Sequence, residues 1–229
     1  LLRYLKSLIY NSVAELRYIK QDGSVGYYQT VNKTTPVAGD VKYVDRNGDG
    51  VVDDNDRDII GNPNPDFTYG FQTKVSWKSL SLSASFNGVQ GRDILNVGNR
   101  YNNTPGTKSN NVTRKAFQNM WTDENPSNLY PKSTFVVQNM VMDRYVEDGS
   151  YLRCSDITLS YVLPAKWTNK IGIKNTSVYA SVKNAFVITD YSGYDPEVNS
   201  FAFDGLRPGV DMNSYPTPRS FVFGLNLTF

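Results

Sequence analysis

Residues Arg219–Phe229 read RSFVFGLNLTF. Phe221, Phe223, Leu225, Leu227 and Phe229 take every second position, with Val222, Gly224, Asn226 and Thr228 between them. A period of two is that of a β-strand, whose successive side chains point to opposite faces. One face of this strand is therefore wholly apolar and the other small or polar.

The alternation recurs upstream. In FTYGFQTKVSW, Phe67, Tyr69, Phe71, Val75 and Trp77 oppose Thr68, Gly70, Gln72, Lys74 and Ser76. After a tight turn at Lys78 and Ser79, Leu80, Leu82, Ala84 and Phe86 oppose Ser81, Ser83, Ser85 and Asn87, which predicts a hairpin. Ile157, Leu159, Tyr161 and Leu163 face away from Asp156, Thr158 and Ser160. Val178, Ala180, Val182, Phe186 and Ile188 face away from Ser177, Tyr179, Ser181 and Lys183. Strands of roughly ten residues are long for a soluble sheet but match what a tilted strand needs to cross hydrocarbon. A soluble sandwich would pack the apolar faces on a second sheet, whereas an outer-membrane barrel turns them to lipid. Aromatic residues near strand ends, Phe67, Trp77, Tyr161, Trp167 and Phe229, suit the girdles at the two membrane interfaces.

Connection lengths are asymmetric. Short links at Lys78–Ser79 and at 164–175 alternate with long ones at 91–150 and 190–218, the pattern of a barrel with short turns at one rim and long loops at the other. Within the first long loop, NVTRKAFQNMW keeps helical spacing at Val112, Ala116, Phe117 and Met120. Residues 1–38 are ambiguous: Leu1, Leu5, Leu8, Ile9, Val13 and Leu16 suit a helical stripe, while Leu8, Tyr10, Ser12, Ala14, Leu16 and Tyr18 suit a strand. Asp22 and Gly23 then read as a hairpin turn.

Between these segments, DRNGDGVVDDNDRDIIGNP (Asp45–Pro63) concentrates carboxylates in a chain whose charge is otherwise nearly balanced. Asp45, Asn47, Asp49, the Val51 carbonyl, Asp53 and Asp56 occupy the ligand positions of an EF-hand-type calcium loop, with Gly50 at its sharp turn. The closing residue is Asp56 rather than Glu, and the flanks are β-branched or Pro-bounded, so a structural calcium loop is expected rather than a sensor hand. The alternative is a set of Asx turns that needs no ion.

Composition excludes most enzymatic readings. The chain of 229 residues has no histidine, which removes Ser-His-Asp, Cys-His and HExxH chemistry together. Its single cysteine, Cys154, has no disulfide partner in the chain and no histidine to activate it. Acidic pairs such as Asp123–Glu124 and Glu147–Asp148 give no sign of the separation that glycoside hydrolysis needs. Lys plus Arg is 24 against 22 Asp plus Glu, so no broad basic surface points to nucleic acid.

The acidic loop, IIGNPNPDFTYGF, EDGSYLRCSDITLSYVLP, SVKNAFVITDYSGYDPEV and SYPTPRSFVFGLNLTF together resemble, in order and spacing, the C-terminal part of a SusC/RagA-type TonB-dependent outer-membrane transporter of Bacteroidota. The resemblance spans residues 39–229, and the opening LLRYLKSLIY suggests an internal starting point. It implies an all-β fold, the last strands and extracellular loops of a 22-stranded antiparallel transmembrane barrel. By it, residues 1–38 are an upstream strand and loop segment, 39–66 an extracellular loop with the calcium-like motif, and 67–229 barrel strands with long loops 91–150 and 190–218.

The family implies nutrient import driven through TonB, a SusD-like surface lipoprotein as partner, and oligosaccharide or peptide cargo. Phe221, Phe223, Leu225, Leu227 and Phe229 would meet lipid and carry the assembly signal. Tyr101, Trp121 and Tyr130, aromatics of the first long loop, are the substrate-contact candidates. The competing reading is a soluble, calcium-stabilised β-sandwich that binds carbohydrate.

Overall fold

The computed structural model describes residues 2–4, 7–9, 11–12, 16–19, 23–27, 35–103, 111–133, 142–168, 173 and 175–228. Its strands are β1 (Leu2–Tyr4), β2 (Ser7–Ile9), β3 (Arg17–Ile19), β4 (Val25–Tyr27), β5 (Val41–Tyr43), β6 (Asp58–Gly61), β7 (Phe67–Trp77), β8 (Leu80–Gln90), β9 (Asp93–Asn96), β10 (Val146–Asp148), β11 (Tyr151–Val162), β12 (Asn175–Thr189), β13 (Val210–Asp211) and β14 (Ser220–Thr228). Three short helices, α1 (Val97–Asn103), α2 (Arg114–Asn119) and α3 (Ala165–Thr168), lie between them. The chain divides into a sheet unit (64–93, 148–198 and 214–229) and a loop unit (1–63, 94–147 and 199–213).

The sheet unit is one five-stranded antiparallel sheet in the order β14-β12-β11-β8-β7. Register carries the apolar faces through the whole sheet: Val75 lies opposite Leu82, Leu82 opposite Leu159, Leu159 opposite Ala180, and Ala180 opposite Phe223. This face is uncovered. Phe223 is 78% exposed, Trp77 69% and Val75 63%, and Phe221, Leu225 and Leu227 are exposed as well. Phe229 lies outside the described residues. A sandwich core would have buried these side chains, whereas among the described residues no second layer covers them.

One irregularity interrupts the sheet. The register shifts between Cys154 and Asp156 on both sides of β11, and Asn184 on β12 takes φ 51°. An extra residue that kinks the ladder is a β-bulge. Just before it, Cys154 lies between Phe86 of β8 and Phe186 of β12, whose ring centroids are 6.3 Å apart. Phe71 stacks on Phe86 from the other side at 4.6 Å. Cys154 is fully buried, and its small side chain leaves room for the flanking rings to meet.

The loop unit is built from short ribbons. β1 pairs with β6, β2 with β5 and β3 with β4, all antiparallel, and β13 pairs in parallel with β9. Its core gathers Val41, Tyr43, Val52, Leu95, Met142, Tyr145 and Val210, residues far apart in sequence. This grouping cuts across the linear division read from the sequence, because parts of both long loops join residues 1–63 in one unit. Over residues 1–38 neither a single helix nor a single strand runs through: Ser7–Ile9 and Arg17–Ile19 are separate short strands, and β3 and β4 form a hairpin around Gly23; Leu1, Leu5, Tyr10, Val13, Ala14 and Asp22 lie outside the described residues. The helix expected around residues 111–121 is α2, capped by Thr113 Oγ1, which accepts from Ala116 N–H at 3.2 Å. Ala116 is buried but Phe117 is exposed, so its apolar stripe is narrower than the spacing suggested.

Candidate functional site

The polar face of the sheet is a hydrogen-bonded surface. Gln72 Nε2 donates to Ser85 Oγ at 2.8 Å, and the hydroxyls of Ser76 and Ser81 meet at 2.8 Å. Near its centre Asp156 accepts from Thr158 Oγ1 at 2.8 Å and Ser181 Oγ at 2.9 Å, and pairs with Lys183 Nζ at 2.7 Å. Three partners fix a carboxylate that burial alone would destabilise.

Toward the end of the sheet where the long connections leave, the same face carries a second cluster. Arg153, on β11, is buried and pairs with Asp195, also buried, and with Glu197 at 2.9 Å. Glu197 Oε1 also accepts from Tyr151 Oη at 2.5 Å and Asn87 Nδ2 at 3.0 Å. Arg92 Nη2 donates to the Pro196 carbonyl at 2.6 Å. Asp195 accepts from the backbone N–H of Glu197 at 3.0 Å and of Thr217 at 3.1 Å. Residues 195–197 are thus clamped to the polar face through three strand-borne side chains and the Arg92 guanidinium. Burial pushes the Asp195 carboxyl upward, but the two backbone donors and Arg153 outweigh it and hold the group below the usual carboxylate range.

In the acidic loop the carboxylates bind backbone amides. Asp45 accepts from Gly48 N–H at 2.7 Å and Gly50 N–H at 2.8 Å, Asp49 from Val51 N–H at 2.8 Å, and Asp53 from Asn55 N–H at 2.7 Å. Asp56, fully buried, accepts from Arg46 N–H at 2.8 Å and Asp53 N–H at 2.7 Å. Gly48 and Gly50 take φ 74° and 84°, which lets the chain turn back on Asp45. The donor set is the hard-oxygen set that calcium takes. Among the described residues, however, no three carboxylates converge on one point. The Asx turns account for the loop's course in this structure.

No protein-family model matches the chain. Over 201 residues it is 35% identical to TonB-dependent receptor P26 of Formosa agariphila, an alignment covering 84% of this chain and 20% of that protein. It is 34% identical over 194 residues to TonB-dependent receptor SusC of Bacteroides thetaiotaomicron, covering 82% of this chain and 17% of that one. Among solved structures, the RagAB peptide importer in its open-open state superposes with a TM-score of 0.69 at 26% identity, over 99% of this chain and 22% of that chain. The chain belongs to the SusC/RagA-type TonB-dependent receptors. It spans about a fifth of the length of the curated relatives it matches. Receptors of this family are outer-membrane barrels and not enzymes, so the sheet unit is barrel wall.

Within the receptor's loop unit the three aromatic candidates take different surroundings. Trp121 is buried on the turn at Gly39, where a Cβ would stand 2.5 Å from the indole. Tyr101, on α1, is exposed, with the Arg100 guanidinium 5.4 Å from its ring centroid. Tyr130 lines a cavity of about 190 Å³ with Asn99, Asn103, Arg144 and Tyr145. Sequence reading missed the clamp formed by Arg153, Asp195 and Glu197. The available signal was phase: Arg153 falls on the polar side of its strand, opposite Asn87 and Val187.

Proposed function

We propose that this chain supplies barrel wall and outer loops to a TonB-dependent importer that takes up oligosaccharides or peptides with a SusD-like lipoprotein as partner. The observation that carries the reading is the two-faced sheet, apolar and uncovered on one side, hydroxyl- and amide-lined on the other, in a chain of this family. The relatives' names support TonB dependence, and the peptide importer among the structural neighbours supports peptide as one cargo class. In this reading the polar face looks into the lumen, and the rim bearing the long loops faces outward. The clamped segment 195–197 then lines the lumen near the outer rim.

Purification of the full-length receptor from outer-membrane fractions tests this. A co-purifying surface lipoprotein, with binding of a defined oligosaccharide or peptide pool, is the expected result. Recovery of the receptor without detergent in the soluble fraction would end the reading.

Calcium belongs to the same proposal. Asp45, Asn47, Asp49, the Val51 carbonyl, Asp53 and Asp56 would hold it, stiffening an outer loop. Calorimetric titration should give a saturable calcium signal that is lost in Asp45→Ala/Asp49→Ala. Absence of any signal in the parent protein removes the ion and leaves the Asx turns.

A further inference from the structure

Within the loop unit, the cavity of about 190 Å³ that Tyr130 lines runs from Leu129, 59% exposed, to Tyr145, 5% exposed, and so leads inward from the surface. Part of its lining is a pair of asparagine amides held by a relay. Thr113 Oγ1 donates to Asn103 Oδ1, Asn103 Nδ2 to Asn99 Oδ1, and Asn99 Nδ2 to Glu147 Oε1 at 2.8 Å. Each amide nitrogen spends one hydrogen in the relay and keeps a second. Arg144 supplies the charge. Its Nη2 donates to the Asn128 carbonyl at 3.2 Å and the Leu129 carbonyl at 2.6 Å, which anchors the guanidinium through one nitrogen. Its Nη1 is shielded from water and has no hydrogen-bond partner.

A buried guanidinium nitrogen without an acceptor is an exception that asks for an occupant. Among the described residues Arg144 pairs with no carboxylate. Asp143 accepts from the backbone N–H of Arg144 at 2.8 Å, and Glu147 accepts from the amides of Asn96 and Asn99. No carboxylate lines the cavity either, so its polar wall is rich in donors and carries a net positive charge. We propose that this cavity is a subsite for a carboxylate on the imported cargo, and that Arg144 sets the preference for it. A carboxylate brings two acceptor oxygens to the planar fork and neutralises its charge, which a hydroxyl does not. The Tyr130 ring gives the residue that bears the carboxylate an apolar wall. The volume is below the roughly 300–1,000 Å³ of a drug-sized pocket, which suits one residue of a longer ligand. A sugar acid and an acidic peptide both carry the required group.

The inference rests on the importer reading, since it needs the loop unit on the side where cargo arrives. The test therefore uses full-length receptor recovered from the outer membrane with its partner lipoprotein, so that reading has passed before the subsite is probed. Calorimetry compares trigalacturonic acid with galactotriose, and an end-blocked alanine peptide holding one glutamate with the same peptide holding glutamine. In at least one pair the acidic member should bind about tenfold tighter, the scale of one charge-assisted hydrogen bond, and the pair that shows this names the source. Arg144→Gln should abolish the preference, while Arg144→Lys, which keeps the charge without the fork, should retain part of it. Asn103→Asp adds a like charge to the lining and should weaken only the acidic member. If Arg144→Gln does not fold, Arg144→Lys and Asn103→Asp take its place. Equal binding within both pairs overturns the proposal, as does failure of the parent to bind either acidic member or a preference that survives Arg144→Gln. Loss of the lipoprotein from the Arg144→Gln complex with the preference unchanged also overturns it, because the guanidinium would then serve the partner and not the cargo.

Discussion

Gly224 of β14 lies directly opposite Tyr179 of β12, and the Tyr179 ring fills the space that a side chain at 224 would need. A Cβ on Gly224 would stand 2.2 Å from two ring carbons. The glycine interrupts a strand of large residues because its neighbour on the polar face uses its volume, an arrangement that also covers the bare backbone. Gly224→Val should destabilise the barrel by about 1–3 kcal/mol through overpacking. Gly224→Val/Tyr179→Ala should recover most of that loss. Urea midpoints of the refolded full-length receptor read both.

The clamp on residues 195–197 behaves differently from a surface ion pair, because Arg153 and Asp195 are both buried. Removing one partner strands the other, so Arg153→Ala should cost about 3–5 kcal/mol and release the segment. In Arg153→Met/Asp195→Asn the buried Asp195 charge goes with its partner while Glu197 keeps the Tyr151 and Asn87 donors, and part of the loss should return. Limited proteolysis near Tyr194, 71% exposed beside the clamp, reports the release.

Titration of the clamp has a definite sign. Asp195 has a folded pKa below its unfolded value, near 3.9 for an unperturbed aspartate, so its contribution is complete above that value. It is lost as pH falls through the depressed folded pKa. A spin label at Tyr194→Cys should keep one mobility from pH 7 down to about pH 4 and loosen only below it. Loosening near pH 6 would show that another group governs the segment.

Much of this architecture is legible in the sequence because a strand with one face left uncovered must write its pattern in full. Phe71, Val75 and Phe223 are each more than half exposed, so little tertiary contact competes with their alternation. The turn at Lys78 was legible for its length, although its φ of 54° is unusual for lysine. The loop unit was not legible, since its core joins Val41, Leu95, Met142 and Val210 across distances that no local period encodes. The bulge beside Cys154 was hidden for a related reason. One extra residue in β11 shifts its phase against β8, and only the neighbouring strands reveal it. The acidic motif was visible at once, but its spacing suits amide-bound Asx turns as well as a calcium shell, so pattern alone does not choose.

The two faces of β14 make the sharpest comparison, because Phe223 and Asn226 belong to one strand and differ in what they should meet. Phe223 is paired with Ala180 and points out of the apolar face; Asn226 lies opposite Ser177 and donates to its hydroxyl at 3.3 Å. Arginine at a lipid-facing position near the bilayer midplane costs about 2–4 kcal/mol, whereas a lumenal position keeps its water. Phe223→Arg should therefore lower the folded fraction in vesicles sharply, while Asn226→Arg should leave it close to the parent. Heat-modifiable migration after refolding into vesicles gives both values in one gel. A soluble sheet with an accidentally bare face would show little loss at either position, since arginine at an exposed site stays hydrated. The ratio of the two effects thus measures whether this face lies in hydrocarbon.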